Sequence, residues 1–211
     1  MIDFLYSIDK QIFHFVNQDL ANSLFDMIMP YLTDYDKYLI GRVVVGILYI
    51  YLLWKGGKKG RIIALLLIPL IAFSDQLSSS VIKKFVMRPR PCHEINGIIV
   101  ADYIRSVAYP CGSGFSFPSS HAVNNFAVAT FFSFYYRRWW WAFICFATVI
   151  AFSRVYLGVH FPADVIGGAI IGVACAYFII WLWQLVSKRF PALEIPKEPA
   201  EISTATTSDK E

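Results

Sequence analysis

The chain has 211 residues and a formal net charge of only +4; 57% of it is hydrophobic and 16% is charged. Soluble domains sit near half apolar and a quarter charged, so this composition argues against an ordinary soluble domain and for the membrane class. The small positive charge gathers in short connectors, which reads as a topology signal rather than a nucleic-acid surface.

The length suits one domain. The start, Met1 to Lys10, holds Asp3 and Asp9 and lacks the basic-then-apolar pattern of a secretory signal. In the first 36 residues, Leu5, Ile8, Ile12 and Val16 recur at helical spacing, as do Leu20, Leu24, Ile28 and Leu32. This predicts two amphipathic helices lying in or near a membrane interface, with a short span over 20–32 as the alternative. A spanning helix needs roughly 17–25 mostly apolar residues. Five runs approach that: Tyr38 to Trp54, Ile62 to Ile82, Ala122 to Tyr136, Trp139 to Ser153 and Ala163 to Val186. The expected fold is therefore all-α, an integral-membrane bundle of five to six spans with N-terminal amphipathic helices. Domain boundaries follow: helices over 1–36, the bundle over 37–190 with an outer loop at 83–121, and a disordered polar tail over 191–211.

Lys55, Lys58, Lys59 and Arg61 join the first two runs, Arg137 and Arg138 join the third and fourth, and Lys188 and Arg189 follow the fifth. All fall on one side if each run crosses once, and the positive-inside rule makes that side cytoplasmic. The loop 83–121 and the turn 154–162 then meet on the outer face. Those connectors carry Lys83, Lys84, Arg88, Arg90, Arg105 and Arg154, against the charge rule. Binding an anion is one reason for them; contact with lipid headgroups is the plainer one.

Three segments converge there. In the last, His160 and Asp164 are one helical turn apart, with Pro162 suited to open the helix. Asp164 can fix the tautomer of His160 and leave its other nitrogen to attack. Arg154 can grip phosphate oxygens. The plainer alternative is a helix-end ion pair with Arg154 snorkelling. In the middle segment, Pro118-Ser119-Ser120-His121, the serines suit helix capping or an anion site at a helix start, and His121 can supply a proton. In the first, Lys83 and Arg90 stand at fixed separation with Pro89 and Pro91 stiffening the chain, while Lys84 and Arg88 read as an ordinary basic flank.

Together these segments resemble the three signature motifs of the type 2 phosphatidic acid phosphatase superfamily, which also includes vanadium haloperoxidases. That pattern is Lys, six residues, Arg-Pro; then Pro-Ser-Gly-His; then Ser-Arg, five residues, His, three residues, Asp. Lys83, Arg90 and Pro91 match the first part, and Ser153, Arg154, His160 and Asp164 the third; Ser120 replaces glycine in the second. The resemblance implies a membrane lipid phosphatase in which His160 forms a phosphohistidine, His121 protonates the departing oxygen and Asp164 orients His160. Lys83, Arg90, Ser119, Arg154 and the Ser120 N–H would hold the phosphate oxygens. No cofactor is implied. The three cations can replace a metal, and no carboxylate cluster for Mg²⁺ adjoins these residues in sequence; His93 and Glu94 are too little to suggest one. The expected partners are a lipid phosphate and the bilayer, with no nucleic acid. Undecaprenyl diphosphate leads, ahead of phosphatidylglycerol phosphate, phosphatidic acid and lipid A 1-phosphate. A non-catalytic lipid-phosphate binding or transport protein is the reading of a different class.

Asp75 lies within an apolar run and is expected to take a structural hydrogen bond or to pair with Arg42. Gly168 and Gly172 permit close helix contact. Cys145 and Cys175 are expected as inert core residues. Cys92 and Cys111 share the outer loop, where an oxidising compartment favours a disulfide worth about 3 kcal/mol by chain entropy. Two free thiols are the alternative. Alkylation with and without reductant checks this: a pair predicts two extra adducts after reduction, and unchanged labelling contradicts it.

Overall fold

The computed structural model describes residues 2–95, 97–101, 104–105 and 109–195; of the polar tail expected over 191–211, residues 196–211 lie outside that set. Helix α1 spans Ile2–His14, runs on through a wider turn over Phe15–Asp19, and is followed by α2 (Ser23–Thr33) and α3 (Leu39–Lys55). Helix α4 (Gly57–Gln76) continues through Leu77–Ile82 into the short α5 (Lys83–Val86), making one apolar rod from Gly57 to Val86. Met87 ends the rod in a left-handed conformation (φ 50°), a helix-terminating geometry that residues other than glycine seldom adopt. A two-residue hairpin, β1 (Glu94–Ile95) against β2 (Ile98–Ile99), decorates the following loop. Helices α6 (Ser120–Tyr135), α7 (Trp140–Tyr156) and α8 (Pro162–Arg189) complete the bundle.

Three helical stretches are long and apolar enough to cross a membrane: Gly57–Val86, Arg137–Tyr156 and Pro162–Arg189. Helices α3 (17 residues) and α6 (16 residues) fall slightly short. At 1.5 Å per residue they measure about 25 Å, against a hydrocarbon core of about 30 Å. Helix α2, with 11 residues, reaches only about half that thickness. Of Phe115 to His121, which precede the third apolar run, Ser120 and His121 join α6.

Two apolar cores hold the bundle. One joins Ile63, Leu67 and Leu70 of α4 to Phe131 of α6 and Ile179 and Ile180 of α8. The other joins Phe13 and Val16 at the N-terminus, Met29 of α2, Val155 and Tyr156 of α7, and Val159 and Phe161 of the α7–α8 turn. Along α6 and α8 the backbones nearly touch. A Cβ on Gly172 would lie 2.3 Å from Val123 O, and one on Gly168 would lie 2.9 Å from Ser119 O. Only glycine allows this approach, which sets the start of α6 beside the start of α8.

In the N-terminal helices part of the apolar spacing faces outward, with Leu5 60%, Ile12 44% and Leu24 56% exposed, whereas Val16, which belongs to the same spacing, is buried with Asp9, Phe13 and Asn17. In a lipid environment apolar side chains gain little by leaving the surface, so the buried face is the one whose polar groups find partners inside. Asn17 Nδ2 donates to Tyr156 O at 2.7 Å, and its Oδ1 accepts from Arg105 N at 2.9 Å. Arg105 reaches on to Asp26, with Nη1 donating to Oδ2 at 2.8 Å. Cys145 is exposed rather than in the core, whereas Cys175 is buried. Asp75 accepts from Asn124 Nδ2 at 3.1 Å, the structural bond rather than a pairing with Arg42, which is exposed.

Replacing Gly172 by leucine should remove the α6–α8 contact. The expected outcome is loss of the monodisperse detergent-solubilised protein, or a fall in its thermal midpoint of several degrees. Wild-type behaviour of that variant would contradict this packing.

Candidate active site

The α7–α8 turn carries the centre of the site. After Tyr156 the chain turns through Gly158 (φ 74°), where a Cβ would come within 2.7 Å of Ile104 Cδ1. This turn places His160 just before α8 and leaves it 1% exposed. Pro162 opens α8, and Asp164 closes its first turn by accepting from Phe161 N at 2.8 Å.

Asp164 is fully buried and faces three further side chains. Arg88 Nη1 donates to Oδ1 at 2.8 Å, Ser116 Oγ donates to Oδ2, and His160 Nδ1 stands 3.6 Å from Oδ2. That last distance is long for a direct hydrogen bond. Ser116 Oγ fills the gap, 3.3 Å from His160 Nδ1, so the carboxylate orients the imidazole chiefly through a hydroxyl. With its own proton on Asp164, Ser116 offers a lone pair to Nδ1–H. That tautomer leaves the lone pair on Nε2.

Arg88 was expected as a plain basic flank, but it bridges Asp164 to Asp9 of α1 and stacks on Phe161 at 4.3 Å. Lys84 is exposed, as a flank would be. Arg105 is committed to Asp26 and Asn17. Lys83, Arg90 and Arg154 remain, near enough for their charges to interact. Arg90 is buried, its Nε and Nη1 donating to Gly114 O at 2.7 Å and Cys111 O at 3.1 Å. Cys92 and Cys111 are joined by a disulfide with a Cα–Cα distance of 5.8 Å, which fixes one of those carbonyls. Burial, and then the charge of Arg154, pull Arg90 below the ordinary guanidinium value. Arg154 is buried too rather than snorkelling, its Nη1 donating to Thr33 Oγ1 at 2.9 Å and Tyr109 Oη at 2.8 Å.

Two polar atoms stand out. Among the described residues, Arg154 Nε and Ser119 Oγ are two of four buried side-chain polar atoms without a hydrogen-bond partner, the others being Asp34 Oδ1 and Trp183 Nε1. Ser119 occupies the N-cap position of α6 but makes no side-chain capping bond. Buried polar groups are rarely left unmet, so both fit a requirement for an external acceptor. Ser119 N meets Asp164 O at 3.1 Å, linking the starts of α6 and α8. Ser120 Oγ accepts from Ser78 Oγ at 3.3 Å, which ties the residue that replaces glycine back toward α4.

His121, one residue on, is partly exposed, with Nε2 3.7 Å from Asp34 Oδ1. Asp34, Asp36 and His121 place three ligand-type atoms within 4.8 Å of one another. Carboxylates therefore adjoin His121 in space though not in sequence. They arrive from the α2–α3 connection, far away in sequence, because α2 docks on α7. Lys37 balances Asp34 at 3.0 Å, and that bond raises the Lys37 pKa.

A family model described as the PAP2 superfamily matches residues 63–188. The chain belongs to the PAP2 superfamily. This makes it a membrane phosphatase, a hydrolase of phosphate esters. A lipid A 4'-phosphatase of Bacteroides thetaiotaomicron is 33% identical over 194 residues, 91% of this chain and 82% of that protein. An undecaprenyl-diphosphatase of Bacillus subtilis is 24% identical over 158 residues, 74% of each chain. The crystal structure of a transmembrane PAP2-type phosphatidylglycerolphosphate phosphatase from Bacillus subtilis superposes with a TM-score of 0.63 at 22% identity. It covers 88% of this chain and 89% of that one, a likeness of fold.

Two predictions follow from this geometry. Ser116→Ala takes a donor from a buried carboxylate, a cost of about 1–3 kcal/mol. It should lower kcat about tenfold with KM little changed, because the lost interaction acts on His160 rather than on bound substrate. Steady-state kinetics check it, and an unchanged kcat contradicts it. The second concerns pH. Burial, reinforced by the charges of Arg154 and Arg90 and opposed by Asp164, pushes the His160 pKa down to about 3. In the unfolded chain it sits near about 6.5, so as pH falls through that value the unfolded state takes up a proton first. His160 therefore withdraws stability as pH drops from about 6.5 toward 3. Thermal midpoints at pH 7 and pH 5 should fall more in the wild type than in His160→Gln. An equal or larger fall in the variant contradicts this.

Proposed function

We propose that this PAP2-superfamily protein is a lipid phosphatase working through a phosphohistidine on His160. The observation that carries the reading is the pair of unmet buried groups, Ser119 Oγ and Arg154 Nε, in the site where Lys83, Arg90 and Arg154 gather with an oriented, neutral His160. A phosphoryl group supplies the acceptors these donors lack. Phosphoryl transfer itself depends mainly on positioning and electrostatic stabilisation.

In the proposed cycle, Nε2 of His160 attacks phosphorus in line. The P–O bond to the lipid breaks as His121 protonates the departing oxygen. His121 then takes a proton from water, which attacks the phosphohistidine and releases inorganic phosphate. Asp164, through Ser116, stabilises the charge that appears on the imidazole. Lys83, Arg90, Ser119, Arg154 and the Ser120 N–H hold the phosphate oxygens.

A lipid substrate fits the apolar helices around the site. Helix α3 has no buried residue and exposes Ile40, Val43, Val44, Ile47, Leu48 and Ile50. Such a surface suits hydrocarbon, so α3 and α6 are read as crossing together with the three longer helices, five spans in all. Lys59 stacks over Tyr136 at 4.4 Å, so the start of α4 and the end of α6 share one end of the bundle, opposite the site. The connectors at that end carry the Lys and Arg excess, which supports a cell-membrane protein with its site on the outer or periplasmic face.

Undecaprenyl diphosphate, expected from sequence, is here placed second. The lipid A 4'-phosphatase relative has higher identity and coverage than the undecaprenyl-diphosphatase, so a phosphorylated saccharolipid is the preferred substrate. Phosphate release from a panel of both lipids, phosphatidylglycerol phosphate, phosphatidic acid and lipid A 1-phosphate tests the reading. The wild type should release phosphate, and His160→Ala should lose at least about a thousandfold in kcat. Equal release by the variant would sink the mechanism. Binding with no release from any member would favour a non-catalytic binding protein.

A further inference from the structure

A cavity of about 520 Å³ is lined by His121 and by none of Lys83, Arg90 and Arg154. Its polar wall holds Asp36, Asp75, Asn124 and Asn125 around His121, and its apolar wall includes Ile71, Phe143 and Phe146. The polar wall is well fixed. Asn124 donates to Asp75 Oδ1 at 3.1 Å and accepts from Ser74 Oγ at 2.7 Å. Asn125 donates to His121 O at 2.9 Å and accepts from Tyr35 Oη at 3.3 Å.

If His121 protonates the departing oxygen, the leaving group must lie in this cavity. We propose that Asp36 and Asp75 make it a selectivity chamber for an uncharged, hydroxyl- or amide-bearing leaving group, such as an acylated hexosamine, and that they select against a second phosphate. This rests on the phosphatase reading above and names the substrate class of that site.

The sign of charge decides the point. Among the described residues, no Lys or Arg lines the cavity. Lys37 is nearby but bound to Asp34 at 3.0 Å, and Lys83, whose charge reaches Asp75, belongs to the phosphate cluster. A terminal phosphate in this chamber would face two carboxylates, a repulsion that costs most where water is thin. Sugar hydroxyls and amide N–H groups are donors, which carboxylates accept strongly. The bond chemistry agrees. A sugar alkoxide is a poor leaving group and needs the proton His121 would give, whereas a departing phosphate carries its charge without one. The apolar wall has the character to receive acyl chains.

The test compares kcat/KM for two probes in uncharged detergent micelles, an N,O-acylated glucosamine 4-phosphate and farnesyl diphosphate. The wild type should favour the glucosamine phosphate. Asp36→Asn and Asp75→Asn should each shift the preference toward the diphosphate by about tenfold, roughly the effect of one charge-assisted contact. Asp36 is exposed on the rim, so its variant retains the test if Asp75→Asn does not fold. A wild-type preference for the diphosphate, or an unchanged ratio in a folded, active variant, would overturn the inference while leaving the phosphatase reading intact. Turnover of neither probe, nor of any lipid in the panel, would overturn both.

Discussion

The buried carboxylate of Asp164 is the constraint on which the rest depends. Its backbone and side chain together close the first turn of α8, receive Ser119 N from the start of α6, hold Ser116 and Arg88 from the outer loop, and face the ring of His160. Through Arg88 it also reaches Asp9 of α1, which in turn accepts from Ala163 N at 2.8 Å. An isolated buried carboxylate would be costly, so this one is tolerated only while its partners stay in place. The same network that makes the burial affordable defines the reactive nitrogen of His160.

Around that knot the charges are sorted by role. Of six basic residues in the outer connectors, Arg88 and Arg105 secure the N-terminal helices, and Lys84 stays on the surface. Lys83, Arg90 and Arg154 cluster, and two of them are buried. The polar wall of the cavity at His121 is carboxylate and amide. The centre is thus polarised, with cations where phosphoryl charge would gather and acceptors where a protonated alcohol would depart. Preorganised charge of this kind is the main resource available for phosphoryl transfer.

Much of this was legible in the residues. Helix spacing of His160 and Asp164, the proline that opens α8 and the close-packing glycines of α8 are local signals, and local geometry follows from them. Ser116 was not legible, since nothing about a serine in a glycine-rich loop shows that the fold will press it between a histidine and an aspartate. Asp34, Asp36 and Asp9 were missed for a related reason. Their segments read as interfacial helices, and amphipathic spacing gives no docking partner. The spacing also did not say which side of α1 and its continuation would pack: Leu5 and Ile12 stay exposed while the polar residues Asp9 and Asn17 are buried. Arg88 looked like a flank because charge near a membrane helix has a common explanation, and only its two carboxylate partners distinguish it.

The central claim is that His160, oriented by Asp164 through Ser116, carries the phosphoryl group. Rapid quenching of the wild-type protein in alkaline detergent during turnover of a ³²P-labelled lipid phosphate, followed by peptide mapping, tests it most directly. The account predicts transient, acid-labile and alkali-stable label on the peptide containing His160, lost in His160→Gln and reduced in Asp164→Asn. Label on another residue, or full wild-type turnover with no covalent label at any quench time, would contradict it.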